Sequence, residues 1–180
     1  MKRVSQALSD VRVVDLDGQP HQMAEIWSKK PTLIVFVRHF GCLFCHQQAL
    51  DLKPHVADLA AHGIDLAFVG TGSPFFGVGF RDRLGLDAPI YCDEKHVSFD
   101  AAGMHRGILT LLDPRVAVKG VKAFWSGSRQ GKMQGDATQQ GGMLLVLPDG
   151  RVPYRFVSQY AGDHADLSTV LPELFTRVAA

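Results

Sequence analysis

The sequence predicts an α/β fold in which a mixed β-sheet is flanked by helices on both faces. The first observation is the run Thr32–Arg38, whose nearly continuous apolar and β-branched residues are typical of a buried parallel strand. A helical pattern follows, since Ala49, Leu52, Val56 and Leu59 recur at a spacing of three to four residues. Further along the chain, strand and helix patterns alternate before a hairpin and a final helix, which is the order expected of a mixed sheet.

The other predicted elements are short and are bounded by turn residues. The clearest hairpin joins Met143–Leu147 to Val152–Ser158 through the turn Pro148–Gly150. Pro54 is expected to bend the helix that follows the first long strand, because proline disturbs helical geometry. The remaining predicted strands are Val11–Gln19, Ile64–Val69 and Pro89–Cys92, and the predicted helices are Gln47–His62, Phe75–Leu84, Glu94–Gly103 and Asp166–Val178.

Length and composition exclude several classes of protein. A chain of 180 residues is expected to form a single domain, residues 1–180, with a substantial core. The formal net charge of +1 gives no reason to expect nucleic acid or an anionic membrane surface as the main partner. No apolar run reaches the roughly 18 to 20 residues that a membrane span needs. Met1–Asp10 lacks the apolar core of a secretion signal, so we expect a soluble, cytoplasmic protein.

The least regular part of the sequence is His105–Gln140, which we expect to form a helical insertion. Within it, Pro114–Trp125 mixes apolar residues with arginine and lysine. Such a segment is compatible with an amphipathic helix on a membrane surface or on a partner. A helix packed over one edge of the domain is the interpretation that we favour, since a short basic and apolar segment is weak support for membrane binding.

The chemistry of the chain is concentrated in a C-x-x-C pair. Gly41 closes the long strand, and Cys42 and Cys45 follow at the expected start of a helix. Helix N-terminal N–H groups favour a thiolate, and Arg38 brings a positive charge. We therefore predict that Cys42 faces outward and is the attacking thiol, and that Cys45, one turn into the helix, resolves its sulfenic acid as a disulfide. This pair after an early central strand makes a thioredoxin-like fold the simplest interpretation.

The same residues allow two other interpretations, a haem attachment sequence and a zinc site. The residues Cys42–His46 match C-x-x-C-H, the attachment sequence of c-type haem, but that motif belongs with export, which nothing here signals. A zinc site would need His39, Cys42, Cys45 and His46, which crowd into one turn. We predict neither a cofactor nor a metal. The two histidines are expected to be solvated, although either could tune a thiol pKa, and two inert buried thiols are the remaining possibility.

The third cysteine, Cys92, stands apart from the pair at the end of a predicted strand. Free cysteine is among the most buried residue types and behaves as a small apolar side chain. We therefore expect Cys92 to be a packing residue rather than a second resolving thiol.

The segment Arg38–Leu52, R-H-F-G-C-L-F-C-H-Q-Q-A-L-D-L, resembles the peroxiredoxin-like branch of the AhpC/TSA antioxidant superfamily. The resemblance is strongest to the peroxiredoxin-like 2 group, which includes the prostamide/prostaglandin F synthase-type proteins and carries R-x-x-G-C-x-x-C. The likeness continues in Tyr91–Lys95 and in Phe124–Val146, and it spans most of the chain from about Thr32 to Leu174.

That resemblance implies a thioredoxin fold and thiol-dependent reduction of peroxides or related oxidised substrates. Thioredoxin- or glutathione-type donors would supply the electrons. Cys42 and Cys45 match the family's cysteines, and Arg38 and Gly41 match its Arg and Gly. The chain departs from ordinary peroxiredoxins at His39, where those proteins have Thr or Ser. Gly141-Gly142 stands where thioredoxins have a cis-proline.

We therefore expect a peroxiredoxin-like thiol oxidoreductase in which Cys42 attacks, Cys45 resolves and Arg38 stabilises negative charge. The alternative is a redox-sensing or binding module that uses the same scaffold with little turnover. The sequence leaves the oligomeric state open, with a homodimer among the options.

Overall fold

The sheet is built around one completely buried strand. In the computed structural model, which describes residues 2–104, 106 and 138–179, strand β4 spans Thr32–Val37 and each of its residues is buried. It pairs in parallel with β5, Asp65–Gly70, and antiparallel with β7, Gly142–Val146. The predicted buried strand at Thr32–Arg38 is therefore confirmed, and both of its edges are hydrogen-bonded.

Six further strands complete two sheets among the described residues. Strands β6, β2 and β3 extend the main sheet beyond β5, and β9 extends it beyond β7, which gives the order β3-β2-β6-β5-β4-β7-β9. A separate ribbon pairs β1 with β8. Parallel and antiparallel neighbours occur in one sheet, so the predicted mixed sheet is confirmed. These strands are β1 (Lys2–Arg3), β2 (Arg12–Val14), β3 (Pro20–Gln22), β6 (Ile90–Cys92), β8 (Arg151–Val152) and β9 (Tyr154–Val157).

Helices cover both faces of the main sheet, as predicted. One buried cluster lies under α3, α4, α5 and α7 and includes Leu52, Phe80 and Leu174. A second cluster, which includes Trp27 and Phe99, lies under α1, α2 and α6. The described helices are α1 (Gln6–Ser9), α2 (Met23–Trp27), α3 (Leu43–Leu52), α4 (Val56–Ala61), α5 (Pro74–Leu84), α6 (Val97–Ala101) and α7 (Leu167–Ala179).

The helix after β4 differs from the prediction at its beginning and in its middle. It begins at Leu43 rather than Gln47, so that Cys42 is the residue immediately before the first helical turn. The expected disturbance at Pro54 is confirmed, because a short 3₁₀ segment, Lys53–His55, separates α3 from α4. Pro172 lies inside α7.

The predicted hairpin near the C-terminus is confirmed with one change. Strand β7 pairs antiparallel with β9, and Met143 lies opposite Phe156. The returning strand is interrupted at Pro153, which lacks a backbone N–H, and the residues before it pair with β1 instead. The prediction of an insertion helix at Pro114–Trp125 lies outside the described residues. Within the described part of the chain, no helix has the length and apolarity to cross a membrane.

Two ion pairs of His21 link the turn between β2 and β3 to α2, and they make the stability of the fold depend on pH. His21 Nε2 lies 2.9 Å from Asp15 Oδ2, and His21 Nδ1 lies 3.2 Å from Glu25 Oε2. These carboxylates, Asp15 first, raise the pKa of His21 above its ordinary value of 6.5. The resulting stabilisation is fully present below pH 6.5 and is lost as pH rises through the raised pKa.

We expect His21→Gln to remove this part of the pH dependence. The melting temperature of the variant should fall below that of the wild type at pH 5.5 to 6, roughly where His21 is protonated, and should approach it at alkaline pH. The effect should be small, because the side chains of His21 and Asp15 are 32% and 28% exposed. A difference between the two proteins that does not vary with pH would contradict the assignment.

Candidate active site

The two cysteines of the C-x-x-C pair lie at the junction of β4 and α3. The chain leaves β4 through Arg38 and His39 and turns back, since the backbone N–H of Cys42 donates to His39 O at 3.0 Å. Cys42 has extended backbone angles of φ −74° and ψ 123°, and its carbonyl accepts the first helical hydrogen bond, from His46 N. The Cys42 side chain is thereby directed to the N-terminal end of α3, where backbone N–H groups have no helical partner.

The surroundings of the Cys42 sulfur favour a thiolate. The Cys45 thiol donates a hydrogen bond to it, Arg38 Nη1 lies 3.9 Å from Sγ, and the backbone N–H groups of Cys45 and Phe44 also point at the sulfur. Together these contacts outweigh burial and lower the pKa of Cys42 from 9.0 to about 6. The cation that the sequence predicts beside this thiol is therefore present.

Cys45 has the opposite character. Burial is the first cause that raises the pKa of its thiol, and the hydrogen bond to Cys42 acts in the same direction. The His39 backbone N–H and the Arg38 charge oppose this shift without overcoming it. One buried pair thus holds a stabilised thiolate on Cys42 beside a protonated thiol on Cys45, and all three cysteines of the chain are free.

Three expectations about exposure are wrong. Cys42 does not face outward, because it is only 2% exposed, as is Cys45. His39, at 3%, and His46, at 2%, are buried rather than solvated. The rings of His46 and Phe80, the latter on α5, have centroids 5.4 Å apart, so packing from a distant element covers this histidine.

The buried histidines have distinct environments. Burial, followed by the charges of Arg38 and His46, lowers the pKa of His39 to about 4, so His39 is neutral at physiological pH. His46 Nε2 donates to Phe40 O at 2.6 Å, which occupies that nitrogen. Among the described residues, no group of three or more histidine, cysteine or acidic side chains is arranged to hold a metal ion.

Cys92 lies in the same apolar cluster as the pair and is buried. Burial raises the pKa of its thiol to about 12, and its sulfur packs 3.4 Å from the position that a Cβ at Gly77 would occupy. These observations agree with the prediction that Cys92 is a packing residue.

Several polar residues at this site were not predicted from the sequence. Arg38 Nε donates to Gln139 O at 2.9 Å, and Thr71 Oγ1 donates to Arg38 O. Gln48 lies on α3 one turn beyond Cys45, and His164 Nε2 donates to Phe44 O at 2.9 Å. The position of Thr71 directly after β5 was a usable signal, because the ends of neighbouring parallel strands meet at one edge of a sheet. No such signal pointed to Gln139 or His164, because both are far from the cysteine pair in the sequence.

No cis peptide bond occurs in the described part of the chain, and Gly141 approaches β4 closely. A Cβ at this position would lie 2.1 Å from Phe36 O. The backbone at Gly141 therefore packs directly against the central strand.

A stabilised thiolate beside a second thiol, at the end of a central strand in a mixed sheet, defines a redox protein of the thioredoxin-like class. Peroxidoxin BcpB from Mycobacterium tuberculosis has the same fold, with a TM-score of 0.68 at 13% identity over 99% of this chain and 97% of that one. The predicted thioredoxin-like fold is thus confirmed.

Sequence comparisons indicate which family within the thioredoxin-like class the chain resembles. The profile of the AhpC/TSA antioxidant enzyme family matches residues 51–159. A prostamide/prostaglandin F synthase of Salmo salar is 30% identical over 160 residues, which cover 86% of this chain and 80% of the relative. The chloroplastic thioredoxin-like protein AAED1 of Arabidopsis thaliana is 26% identical over 94% of this chain and 72% of its own length.

The chain belongs to the AhpC/TSA antioxidant enzyme family. The resemblance that the sequence suggested is confirmed, and membership of this family supports a role as a redox enzyme. The family profile begins after the cysteine pair, whereas the two relatives align with most of the chain.

Proposed function

We propose that the protein is a thiol peroxidase that reduces small peroxides through Cys42 and Cys45. The observation that carries the proposal is the asymmetry of the pair, in which Cys42 is held as a thiolate by Cys45 and Arg38 while Cys45 keeps its proton. Nucleophilic attack on a peroxide needs the thiolate, and resolution needs a second thiol within reach.

The reaction proceeds in three balanced steps. The Cys42 thiolate attacks the O–O bond of ROOH, giving the sulfenic acid on Cys42 and an alkoxide that takes up a proton. The Cys45 sulfur then attacks the Cys42 sulfur, and the S–O bond breaks to give a disulfide and water. A dithiol of the thioredoxin type, or two glutathione-type thiols, finally reduce the disulfide. Arg38 stabilises the negative charge on the attacking sulfur and on the departing oxygen.

The test is to mix the fully reduced protein with a stoichiometric amount of hydrogen peroxide and to count thiols by mass spectrometry. The wild type should lose two of its three thiols, and Cys42→Ser should lose none. Cys45→Ser should accumulate a sulfenic acid on Cys42 that dimedone traps. Cys92→Ser is the matched control and should still lose two thiols. Survival of every thiol in excess peroxide, together with no turnover in a thioredoxin-coupled assay, would refute the proposal.

The burial of both sulfurs favours a second candidate function. A pair that is 2% exposed is hard for a protein reductant to reach, as expected of a redox sensor that turns over slowly. Such a sensor would form the disulfide, but neither a thioredoxin nor a glutathione system would reduce it catalytically. The cytoplasmic location and the homodimer stay predictions.

A further inference from the structure

A small cavity lies beside Cys45. Its walls come from the end of β4, from α3, from the residues before β7 and from the segment after β9. Cys45 lines it, and so do four residues with polar side chains, Arg38, Gln48, Gln140 and His164. Its volume of about 10 Å³ is enough for a single water molecule.

Gln48, one of the residues that line this cavity, has a buried side-chain donor without an acceptor in the described part of the chain. The residue is only 4% exposed, and its Nε2 atom has no hydrogen-bond partner among the described residues. A buried amide N–H without an acceptor is unfavourable, and a buried water molecule commonly satisfies such a group.

His164 lines the same cavity and carries a basic ring nitrogen. Its Nε2 lies 2.9 Å from Phe44 O, and a carbonyl oxygen only accepts, so Nε2 carries the proton and Nδ1 carries the lone pair. The segment holding His164 is pressed against the same helix, since a Cβ at Gly162 would lie 2.8 Å from the Phe44 ring. The imidazole is thus fixed in position and in tautomer.

The resolving step needs a proton acceptor near Cys45. Cys45 attacks Cys42 as a thiolate, yet burial keeps its proton in place. Resolution is therefore slow unless a base removes that proton during the attack.

We propose that His164, acting through one water molecule bound to Gln48 in this cavity, accepts the Cys45 proton during formation of the Cys42–Cys45 disulfide. The inference rests on the proposed function. The Cys45 S–H proton passes to the water while the water gives a proton to His164 Nδ1. The sulfur electron pair forms the S–S bond, the S–O bond of the sulfenic acid breaks, and the departing hydroxide recovers the proton from the imidazolium as water.

Because His164 accepts the proton in this scheme, its protonation should control the pH dependence of the resolving step. Arg38 is the positive charge at the cavity, and the carboxylates beside His164 in sequence accept hydrogen bonds from the backbone N–H groups of Gln159 and Ser168. Ionisable residues that line the cavity with His164 include Arg38 at the end of β4, Cys45 on α3 and Tyr160, and Asp163 and Asp166 lie on the segment of His164 itself.

The test measures oxidation and resolution separately by rapid quench and mass spectrometry. His164→Gln retains an N–H donor for Phe44 O but no base, and it should slow disulfide formation about tenfold or more while leaving sulfenic acid formation unchanged. The wild-type resolution rate should fall at acidic pH as a histidine is protonated, and this inflection should be absent from His164→Gln. Gln48→Met, which keeps the volume but removes the donor, should also slow resolution.

His62→Gln is the matched control. His62 also donates a ring N–H to a backbone carbonyl, that of Asp58, but it is exposed and does not line the cavity. A His164→Gln variant that resolves at the wild-type rate would overturn the inference, as would slower resolution with an unchanged inflection. Diamide supplies an independent oxidant, because its adduct on Cys42 needs the same attack by Cys45. If the wild type resists peroxide but still forms the disulfide with diamide, the proposed function fails while the role of His164 is still tested.

Discussion

Replacing Arg38 by methionine is expected to slow the oxidation of Cys42 by hydrogen peroxide about 10²-fold, the usual effect of removing one group that stabilises developing negative charge. Arg38 is buried, and its Nη1 atom lies 3.9 Å from Cys42 Sγ. Without this charge, the pKa of Cys42 should rise from about 6 toward its ordinary value of 9.0. Less thiolate would then be present at neutral pH, and the departing oxygen would lose its cation.

Arg38→Lys tests the positive charge of Arg38 separately from the geometry of its hydrogen bonds. A lysine restores a positive charge but cannot reproduce the Nε donor that holds Gln139 O at 2.9 Å. We expect this variant to recover part of the rate and part of the lowered pKa of Cys42. The pKa of Cys42 is measured from the ultraviolet absorbance of its thiolate in proteins that also carry Cys45→Ser and Cys92→Ser. The rate of Cys42 oxidation is measured by stopped flow. An Arg38→Met variant with an unchanged titration of Cys42 would show that Arg38 does not stabilise the thiolate.

Replacing Gly141 by alanine should destabilise the fold by about 3 kcal/mol or more, which places it among the severe single substitutions. A Cβ at this position would lie 2.1 Å from Phe36 O, a backbone atom of the central strand that cannot move aside without separating β4 from its neighbours. The displacement should also pull Gln139 away from Arg38 and reduce the reactivity of Cys42.

Gly79→Ala is the control for the loss of a glycine. Gly79 lies inside α5, and nothing approaches within 4 Å of the position of its Cβ. Alanine there should stabilise the protein by about 0.5 to 1 kcal/mol, because it restricts the unfolded chain and favours a helix. Urea denaturation measures both variants. A midpoint for Gly141→Ala equal to that of the wild type would contradict the assigned close contact.

The sequence predicted those parts of the site that neighbours along the chain determine. The strand Thr32–Val37 has a continuous apolar pattern, and Arg38, Cys42 and Cys45 lie within a few residues of one another. Their mutual proximity follows from a single turn between strand and helix. Leu43 and Phe44 lie outside the apolar repeat of the helix, so this repeat predicts a start at Gln47, later than the observed start at Leu43.

Contacts between segments that are far apart along the chain could not be predicted from the sequence. Gln139 accepts a hydrogen bond from Arg38 at a sequence separation of 101 residues, and His164 donates one to Phe44 at a separation of 120. The burial of His46 depends on Phe80, which belongs to another helix. Such contacts are created by the packing of whole elements, and no local pattern of polar and apolar residues encodes them.

The arrangement around the Cys42 sulfur also has an energetic consequence for electron transfer. The Arg38 charge and the N–H groups of Phe44 and Cys45 stabilise a charged sulfur, which exists only while the pair is reduced. A disulfide between the two cysteines would carry no charge, so these groups would lose most of their interaction with it. Stabilising the reduced form alone raises the reduction potential of a dithiol pair. The fold therefore favours return of the oxidised protein to the dithiol state, whichever donor supplies the electrons.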